Sequence, residues 1–170
     1  MPVRSKNGLR LAFGGVAAAV FAAFALSLSH RSASADGGGG DSVSAHLGGY
    51  EGILSFLHNR AVPAVLADAT LAPFFSHLTV APTDIEECLA RLLDHDLGGE
   101  SAKNGETTST GHECRSSMSN VHRGLAIPDS AFTRFIQVVG AEAQAAGVPA
   151  DDIAAVAKAL ERYRGSIRNK

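Results

Sequence analysis

The sequence has 170 residues, of which 45% are hydrophobic and 19% charged, and its formal net charge is −2. A chain of this length and composition forms one globular domain, which excludes an intrinsically disordered protein and a strongly basic one. It contains no tryptophan and only 6% aromatic residues, so a flat ligand would be surrounded by Phe, Leu, Ile and Val.

The first 35 residues have the pattern of a secretory signal. Arg4, Lys6 and Arg10 form a basic start, residues 11–28 are an uncharged apolar run, and residues 33–35 match a small-residue cleavage site. The alternative is an uncleaved membrane anchor, because the run of 18 residues approaches the roughly 20 needed to span a bilayer. In either case we expect a periplasmic or secreted domain, which would lie at a membrane only if the segment is uncleaved.

Removal of this segment would change the charge of the protein. Four of the 15 basic residues lie within residues 1–35, so 11 remain against 17 acidic residues and the net charge becomes −6. This balance argues against nucleic acid and anionic lipid surfaces as partners. Residues 36–45 include four consecutive glycines and are predicted to form a flexible linker to a domain of residues 46–170.

Apolar residues at helical spacing predict the first helices of this domain. They recur over residues 51–66, where Pro63 lacks an amide donor and should bend or divide the helix. Residues 71–78 form a compact apolar turn. A further helix is predicted to begin with Thr83 as its N-cap and to end at the glycine pair 98–99.

The second half of the domain follows the same pattern. Residues 100–112 are polar, have no helical or strand period, and are predicted to be a surface insertion. Met118 to His122 form a short apolar turn that Gly124 ends. Two more helices are predicted, one over residues 129–146 and one from Asp151 through Ile167. Since no strand pattern occurs, the predicted fold class is all-α with four main helices.

Five short motifs follow one another along the domain. They are Leu47-Gly48-Gly49-Tyr50-Glu51, Leu66-Ala67-Asp68 with Leu71-Ala72-Pro73-Phe74-Phe75, Leu97-Gly98-Gly99, Met118 to His122, and Ala126-Ile127 with Phe132. Their order resembles that of group 1 truncated haemoglobins over about residues 46–168. The resemblance implies a two-over-two helical sandwich around haem b, in an exported variant with a long insertion before the proximal histidine.

The resemblance also implies the residues of the haem site. His122 falls on the proximal iron ligand, and the alternative for a lone histidine is a purely structural role. An imidazole on iron needs an acceptor for its second ring nitrogen, which the sequence does not identify. The implied haem-binding residues are Phe74, Phe75, Ile85, Leu89, Leu93, Met118, His122, Ile127, Phe132 and Phe135.

The predicted distal side departs from the best-known members of this family. Those members carry a tyrosine on the second helix, which is matched here by Val62, or by Ala61 if the register shifts by one residue. A polar group on the covering helix is matched by Leu89. None of these side chains donates a hydrogen bond, so the predicted pocket is apolar. The alternative is a donor supplied by His58, Asn59 or the insertion.

Cys88 and Cys114 are the two cysteines of the chain. In an exported domain they are expected to form one disulfide. The alternatives are Cys88 as a sixth iron ligand, or a zinc site made by both cysteines with His112 and His122, which the spacing does not favour. The C-x-x-C-H signature of covalently attached haem is absent from the sequence.

The expected function is that of a haem protein that binds a diatomic gas, O2, NO or CO. One alternative is a haem redox enzyme, either an NO dioxygenase or a peroxidase-like protein, which would need an electron donor that the sequence does not identify. Another is a haem-free globin-like interaction module. Globin folds serve all of these roles, so fold alone does not choose among them.

Overall fold

The computed structural model describes residues 41–76, 78–102, 105–115 and 117–170. The predicted signal segment and residues 36–40 of the predicted linker lie outside these residues. Within them, no helix is both long and apolar enough to cross a membrane.

The described part of the chain is helical. Its α-helices are α1 (Val43–His46), α2 (Gly49–Phe56), α3 (Val62–Ala67), α4 (Ala72–Phe75), α5 (Pro82–Asp96), α6 (Met118–Val121), α7 (Asp129–Ala145), α8 (Ala150–Glu161) and α9 (Arg164–Ile167). Extended pairing among the described residues is limited to one isolated bridge, between Thr107 and Glu113. The predicted all-α fold class is therefore confirmed.

Two pairs of helices form the sandwich. Helix α2 packs against α5, helix α7 packs against α8, and α3 joins the pairs through its contact with α7. The core between them is aliphatic, as the predicted helical stripes require. Its buried members include Ile53, Leu57, Val65, Leu93, Val139 and Leu160.

A π-helical turn, Leu57–Ala61, connects α2 to α3. Pro63 has no N–H to donate to the preceding turn, so the regular α-helical pattern cannot continue unchanged through this point. The flanking residues Phe56 and Val62 keep right-handed helical dihedrals, and the chain therefore continues as one helical path with a local bulge. A π-turn holds one residue more than an α-turn. The residues from Val62 onward are therefore rotated about the helix axis relative to an uninterrupted α-helix.

The N-terminus of α5 differs from the prediction. Ala81 is the N-cap and Pro82 occupies the first turn, whereas Thr83 had the better capping side chain. Proline suits the first helical position because its fixed φ is helical and its missing N–H would have no partner there. Thr83 is consequently an exposed residue inside the helix, and its predicted role as N-cap was wrong.

Residues just before the first Leu-Gly-Gly motif contact the second one. The amide of Ser44 donates to the carbonyl of Leu97 at 3.1 Å, and Ser44 is almost fully buried. Helix α1 therefore begins at Val43, inside the stretch predicted to be linker. A side chain on Gly99 would overlap the carboxylate of Asp94, which accepts a hydrogen bond from the Ser44 hydroxyl. The close approach of this carboxylate to the Gly99 backbone favours glycine there.

The last predicted helix is divided. Helix α8 ends at Glu161, and the short α9 starts at Arg164, although the apolar spacing predicted one helix through Ile167. Tyr163 lies between them and its hydroxyl donates to Asp96 Oδ2 at 2.5 Å. The break redirects the end of the chain toward α6, which α9 contacts.

Candidate functional site

His122 lies directly after α6 as its C-cap. Its Nδ1 is 2.8 Å from the carbonyl oxygen of Met118, one helical turn earlier. A carbonyl can only accept, so Nδ1 carries the proton and Nε2 keeps a free lone pair. The structure thus identifies the acceptor that the sequence left open.

The surroundings of His122 favour its neutral form. Burial of the ring lowers its pKa from the ordinary value of 6.5, and the hydrogen bond to Met118 only partly opposes this shift. Desolvation has this sign for histidine because the charged form is the one that loses hydration. At neutral pH the side chain is an uncharged imidazole with Nε2 available, which is the form that binds a metal.

Most of the other predicted site residues are half-buried apolar side chains. Leu93 and Phe132 are each 4% exposed, and the rings of Phe132 and Phe135 lie 6.4 Å apart. Phe74, Phe75, Leu89, Ile127 and Phe135 pack against the core from its edge. The half-buried members of the predicted set are Phe74, Phe75, Ile85, Leu89, Met118, His122, Ile127 and Phe135. That they line one haem pocket stays a prediction.

The insertion is attached to one face of α5. Thr108 Oγ1 donates to Asp84 Oδ1 at 2.6 Å, and the amide of Ser109 donates to Glu87 Oε2 at 2.8 Å. Further along the same face, Arg91 pairs with Glu106. Ile85, Leu89 and Leu93, spaced by four residues, form a different face of the helix. The contacts of the insertion with α5 therefore leave the face of Ile85, Leu89 and Leu93 uncovered by these bonds.

A disulfide completes the attachment. Cys88 on α5 is bonded to Cys114, with a Cα to Cα distance of 5.3 Å. The disulfide prediction is therefore confirmed, and the bond occupies the sulfur that the sixth-ligand alternative requires. The zinc alternative loses both of its thiolates. Among the described residues no group of three or more His, Cys, Asp or Glu is arranged to hold a metal ion.

The alternative distal donors have other partners. His58 Nδ1 lies 2.8 Å from Glu86 Oε2, and Asn59 Nδ2 donates to the carbonyl of Ser55 at 2.9 Å. Both His58 and Asn59 are exposed, whereas Ala61 is 1% exposed. His58 and Asn59 are therefore engaged elsewhere, and the apolar distal pocket stays a prediction.

A separate apolar cleft of about 310 Å³ lies between α2, α5, α7 and α8. Ile53, Phe56, Val139 and Gly140 are among the residues that line it. Of the predicted haem-binding residues, Leu93 is the one that also lines this cleft among the described residues. The cleft is therefore distinct from the His122 region, and it could not be predicted because helical periodicity does not reveal where packing is incomplete.

The end of the chain contributes to the His122 region in a way that the sequence did not indicate. The carbonyl of Lys170 accepts hydrogen bonds from the amides of Gly124 and Ala126, and the amide of Asn169 donates to Ile127. Nearby, Arg164 lies over the ring of Phe132 at 4.8 Å. The cation above Phe132 is a contact that required the three-dimensional structure.

No protein-family model matches the sequence, and no curated protein sequence matches it. Solved structures do match its fold. The truncated haemoglobin from Tetrahymena pyriformis in its Fe(III) form is 22% identical with a TM-score of 0.63, and the match covers 76% of this chain and 99% of that protein. Two single-substitution variants of the same protein give the same values. The chain therefore has the fold of the truncated globins.

Proposed function

We propose that this chain binds haem b through His122 and, at the haem iron, a diatomic gas. The observation that carries the proposal is the hydrogen bond from His122 Nδ1 to the Met118 carbonyl. Proximal histidines in haem proteins need their second ring nitrogen held by such an acceptor. The fold of the truncated globins, found in this chain, supports the same assignment.

The chemistry of the surrounding side chains fits a porphyrin. Binding of a flat apolar ring is favourable when it covers apolar side chains and removes them from water. Half-buried residues still expose apolar surface that such a ring could cover. Phe75 on α4, Leu89 on α5 and Phe135 on α7 are half-buried in this way. Bound haem would supply an iron coordination position for the gas, while these residues would hold the ring and exclude water.

Gas binding is favoured over peroxidase-like catalysis. Proton transfer in such catalysis requires a positioned acid or base, usually histidine or a carboxylate. The predicted distal residues Ala61, Val62, Ile85 and Leu89 carry no such group. The nearest such groups along the chain have other partners, because Glu86 pairs with His58 and Glu87 accepts from the amide of Ser109. An NO dioxygenase role would further require an electron donor.

We also propose export, in a protein most similar to the group 1 truncated haemoglobins. The support for export is the basic and apolar start of the sequence together with the disulfide of Cys88 and Cys114, since such bonds persist in oxidising compartments. Periplasmic and secreted locations both satisfy this argument. Fractionation of the producing cells, with mass measurement of the mature N-terminus, tests it.

Absorption spectroscopy tests haem binding. The full chain, produced with export and purified, should show a Soret band that shifts on reduction and again on addition of CO. His122→Ala should lose haem, or hold it only with added imidazole. His95→Ala is a matched control, because the His95 ring also bonds a backbone carbonyl, that of Ser101, but at an exposed position. Unchanged spectra in His122→Ala would contradict the proposal.

A further inference from the structure

The last residues of the chain bind the loop that follows His122 through backbone atoms. Lys170 O accepts from Gly124 N at 2.8 Å and from Ala126 N at 3.1 Å. In the reverse direction, Asn169 N donates to Ile127 O at 2.9 Å. Three hydrogen bonds thus join residues 169–170, here called the tail, to residues 124–127, here called the proximal loop.

Both partners adopt backbone conformations suited to this pairing. Asn169 has φ of 53°, in the left-handed region that asparagine tolerates better than most residues. Ala126 has φ of 47°, a conformation that a residue with a Cβ rarely adopts without support from its surroundings. Ala126 is one of the two residues whose amides the tail binds, so the tail supports a conformation that the loop alone would disfavour.

A second set of contacts anchors the tail. Arg164 Nη1 lies 2.9 Å from Asp129 Oδ1 at the start of α7, and Arg164 Nη2 lies 2.6 Å from Glu161. The hydrogen bonds that Arg164 donates to these two carboxylates raise its pKa. The guanidinium also covers the ring of Phe132. Helix α9 is therefore held at the N-terminus of the helix that follows the proximal loop.

The segment that carries His122 has little support of its own. Helix α6 has four residues, too few to be stable without tertiary contacts. In the proximal loop Gly124 and Ala126 are exposed, whereas Leu125 and Ile127 are half-buried, so side-chain burial fixes the loop only in part. Among the described helices, α6 contacts α9, so the end of the chain supports this segment.

From these contacts we infer that residues 164–170 form a positioning element for His122. The tail holds the proximal loop by backbone hydrogen bonds, and Arg164 holds the tail. This inference rests on the proposed function, because positioning matters only if His122 is a ligand. Its consequence is that loosening the tail should weaken the hold of His122 on haem without removing any group that touches haem.

Substitutions at Asn169 separate the backbone contact from side-chain effects. Asn169→Pro removes the N–H and cannot reach a positive φ. Asn169→Gly keeps the N–H and can adopt the positive φ. Lys170→Ala keeps the backbone oxygen while removing the charge of the side chain. A chain that ends at Arg168 is a second way to remove all three bonds, without introducing proline. Circular dichroism and thermal melting of each variant establish that the domain is folded.

Two readouts measure the effect. Amide exchange at Gly124 and Ala126 in the protein as purified should accelerate about tenfold in Asn169→Pro and in the shortened chain, as expected when a backbone hydrogen bond is lost. Haem transfer to apomyoglobin should accelerate about tenfold as well, and the iron–histidine stretching frequency should fall. Asn169→Gly and Lys170→Ala should match the wild-type protein.

The outcomes distinguish the inference from the function on which it rests. A wild-type protein without haem would overturn the proposed function, and amide exchange would still report on the tail. A haem-binding wild type whose haem transfer and stretching frequency are unchanged in both tail variants would overturn the positioning role, even if amide exchange were faster. Equal effects of Lys170→Ala and Asn169→Pro would also overturn it, because charge rather than backbone pairing would then be the cause.

Discussion

Replacing Val62 with tyrosine should slow the release of O2 from the ferrous haem form about ten- to hundredfold, which is the gain expected from one hydrogen bond to a partly negative ligand. Val62 is the first residue of α3, directly after the π-turn, and is half-buried. The preceding Ala61 is 1% exposed. Tyrosine is therefore placed at Val62, which is half-buried and has room for a larger side chain, and not at Ala61, which is fully buried.

The expected slowing of O2 release assumes that the wild type offers no donor to bound O2, and the candidate donors have other partners. His58 and Asn59 are engaged with Glu86 and Ser55, and the insertion is bound to the opposite side of α5. A new hydrogen bond to O2 should contribute about 1–3 kcal/mol, and about 1.4 kcal/mol corresponds to a factor of ten. CO is nearly non-polar, so its release should change little. The wild type should accordingly prefer CO over O2 more strongly than relatives that carry a tyrosine.

Stopped-flow measurement of O2 and CO dissociation provides the assay. Val62→Phe is the matched control, since it adds the same ring without the hydroxyl. The difference between the two variants isolates the hydrogen bond from the change in volume. Slow O2 release from the wild type, with no further slowing in Val62→Tyr, would refute the apolar pocket; equal rates in both variants would refute the hydrogen bond.

Three further predictions concern stability. Cys88→Ser together with Cys114→Ser should lower the free energy of unfolding by about 3–4 kcal/mol, because the bond closes a loop between residues 26 apart; urea unfolding measures this, and a loss under about 1 kcal/mol would show that the polar contacts of the insertion suffice without it. Gly140→Ala should stabilise α7 by about 0.5–1 kcal/mol, because the new Cβ would lie at an ordinary contact distance of 3.7 Å from Ile153 Cγ2. Gly52→Ala should destabilise the protein, because its Cβ would overlap the carbonyl of Leu47. Equal melting temperatures of the two variants would contradict this prediction. Burial lowers the pKa of His122 below its unfolded value of 6.5, so its contribution to stability is complete above that pH and is lost as the pH falls through the folded pKa. Haem-free wild type should therefore lose more stability between pH 7 and pH 5 than His122→Gln, and parallel pH profiles in urea would count against it.

Local periodicity was enough to predict the main helices but not their ends. Helix α5 and helix α7 were predicted because each carries an apolar stripe over four turns. The start of α5 was misplaced because proline at the first position and threonine at the cap compete, and the backbone favoured Pro82. The break before Arg164 was missed because the apolar spacing continues across it. The dihedral angles of Tyr163 depart there from those of a regular α-helix.

The candidate site divides in the same way. His122 was identified through a resemblance in motif order, which depends on side chains. Its acceptor, the Met118 carbonyl, and the Lys170 carbonyl of the tail could not be identified, because every residue carries the same carbonyl group and only the fold selects which ones are used. The attachment of the insertion had one signal in the sequence, the cysteine pair, and its other contacts depend on side chains about 20 residues apart.

The two sides of the proposed haem site are restrained by different means, and this has a consequence for how the protein would tune its ligand. On the distal side, α5 is held on its outer face by Cys88, Asp84 and Glu87, which leaves the apolar face without a polar group to adjust. In the proposed site, differential stabilisation of one gas over another by a hydrogen bond would then be unavailable. Ligand affinity would depend instead on the imidazole of His122, whose tautomer is set by Met118 and whose position we assign to the tail. Variants of the tail should therefore change gas binding more than variants of the insertion, the reverse of what a distal hydrogen-bond donor in the insertion would produce.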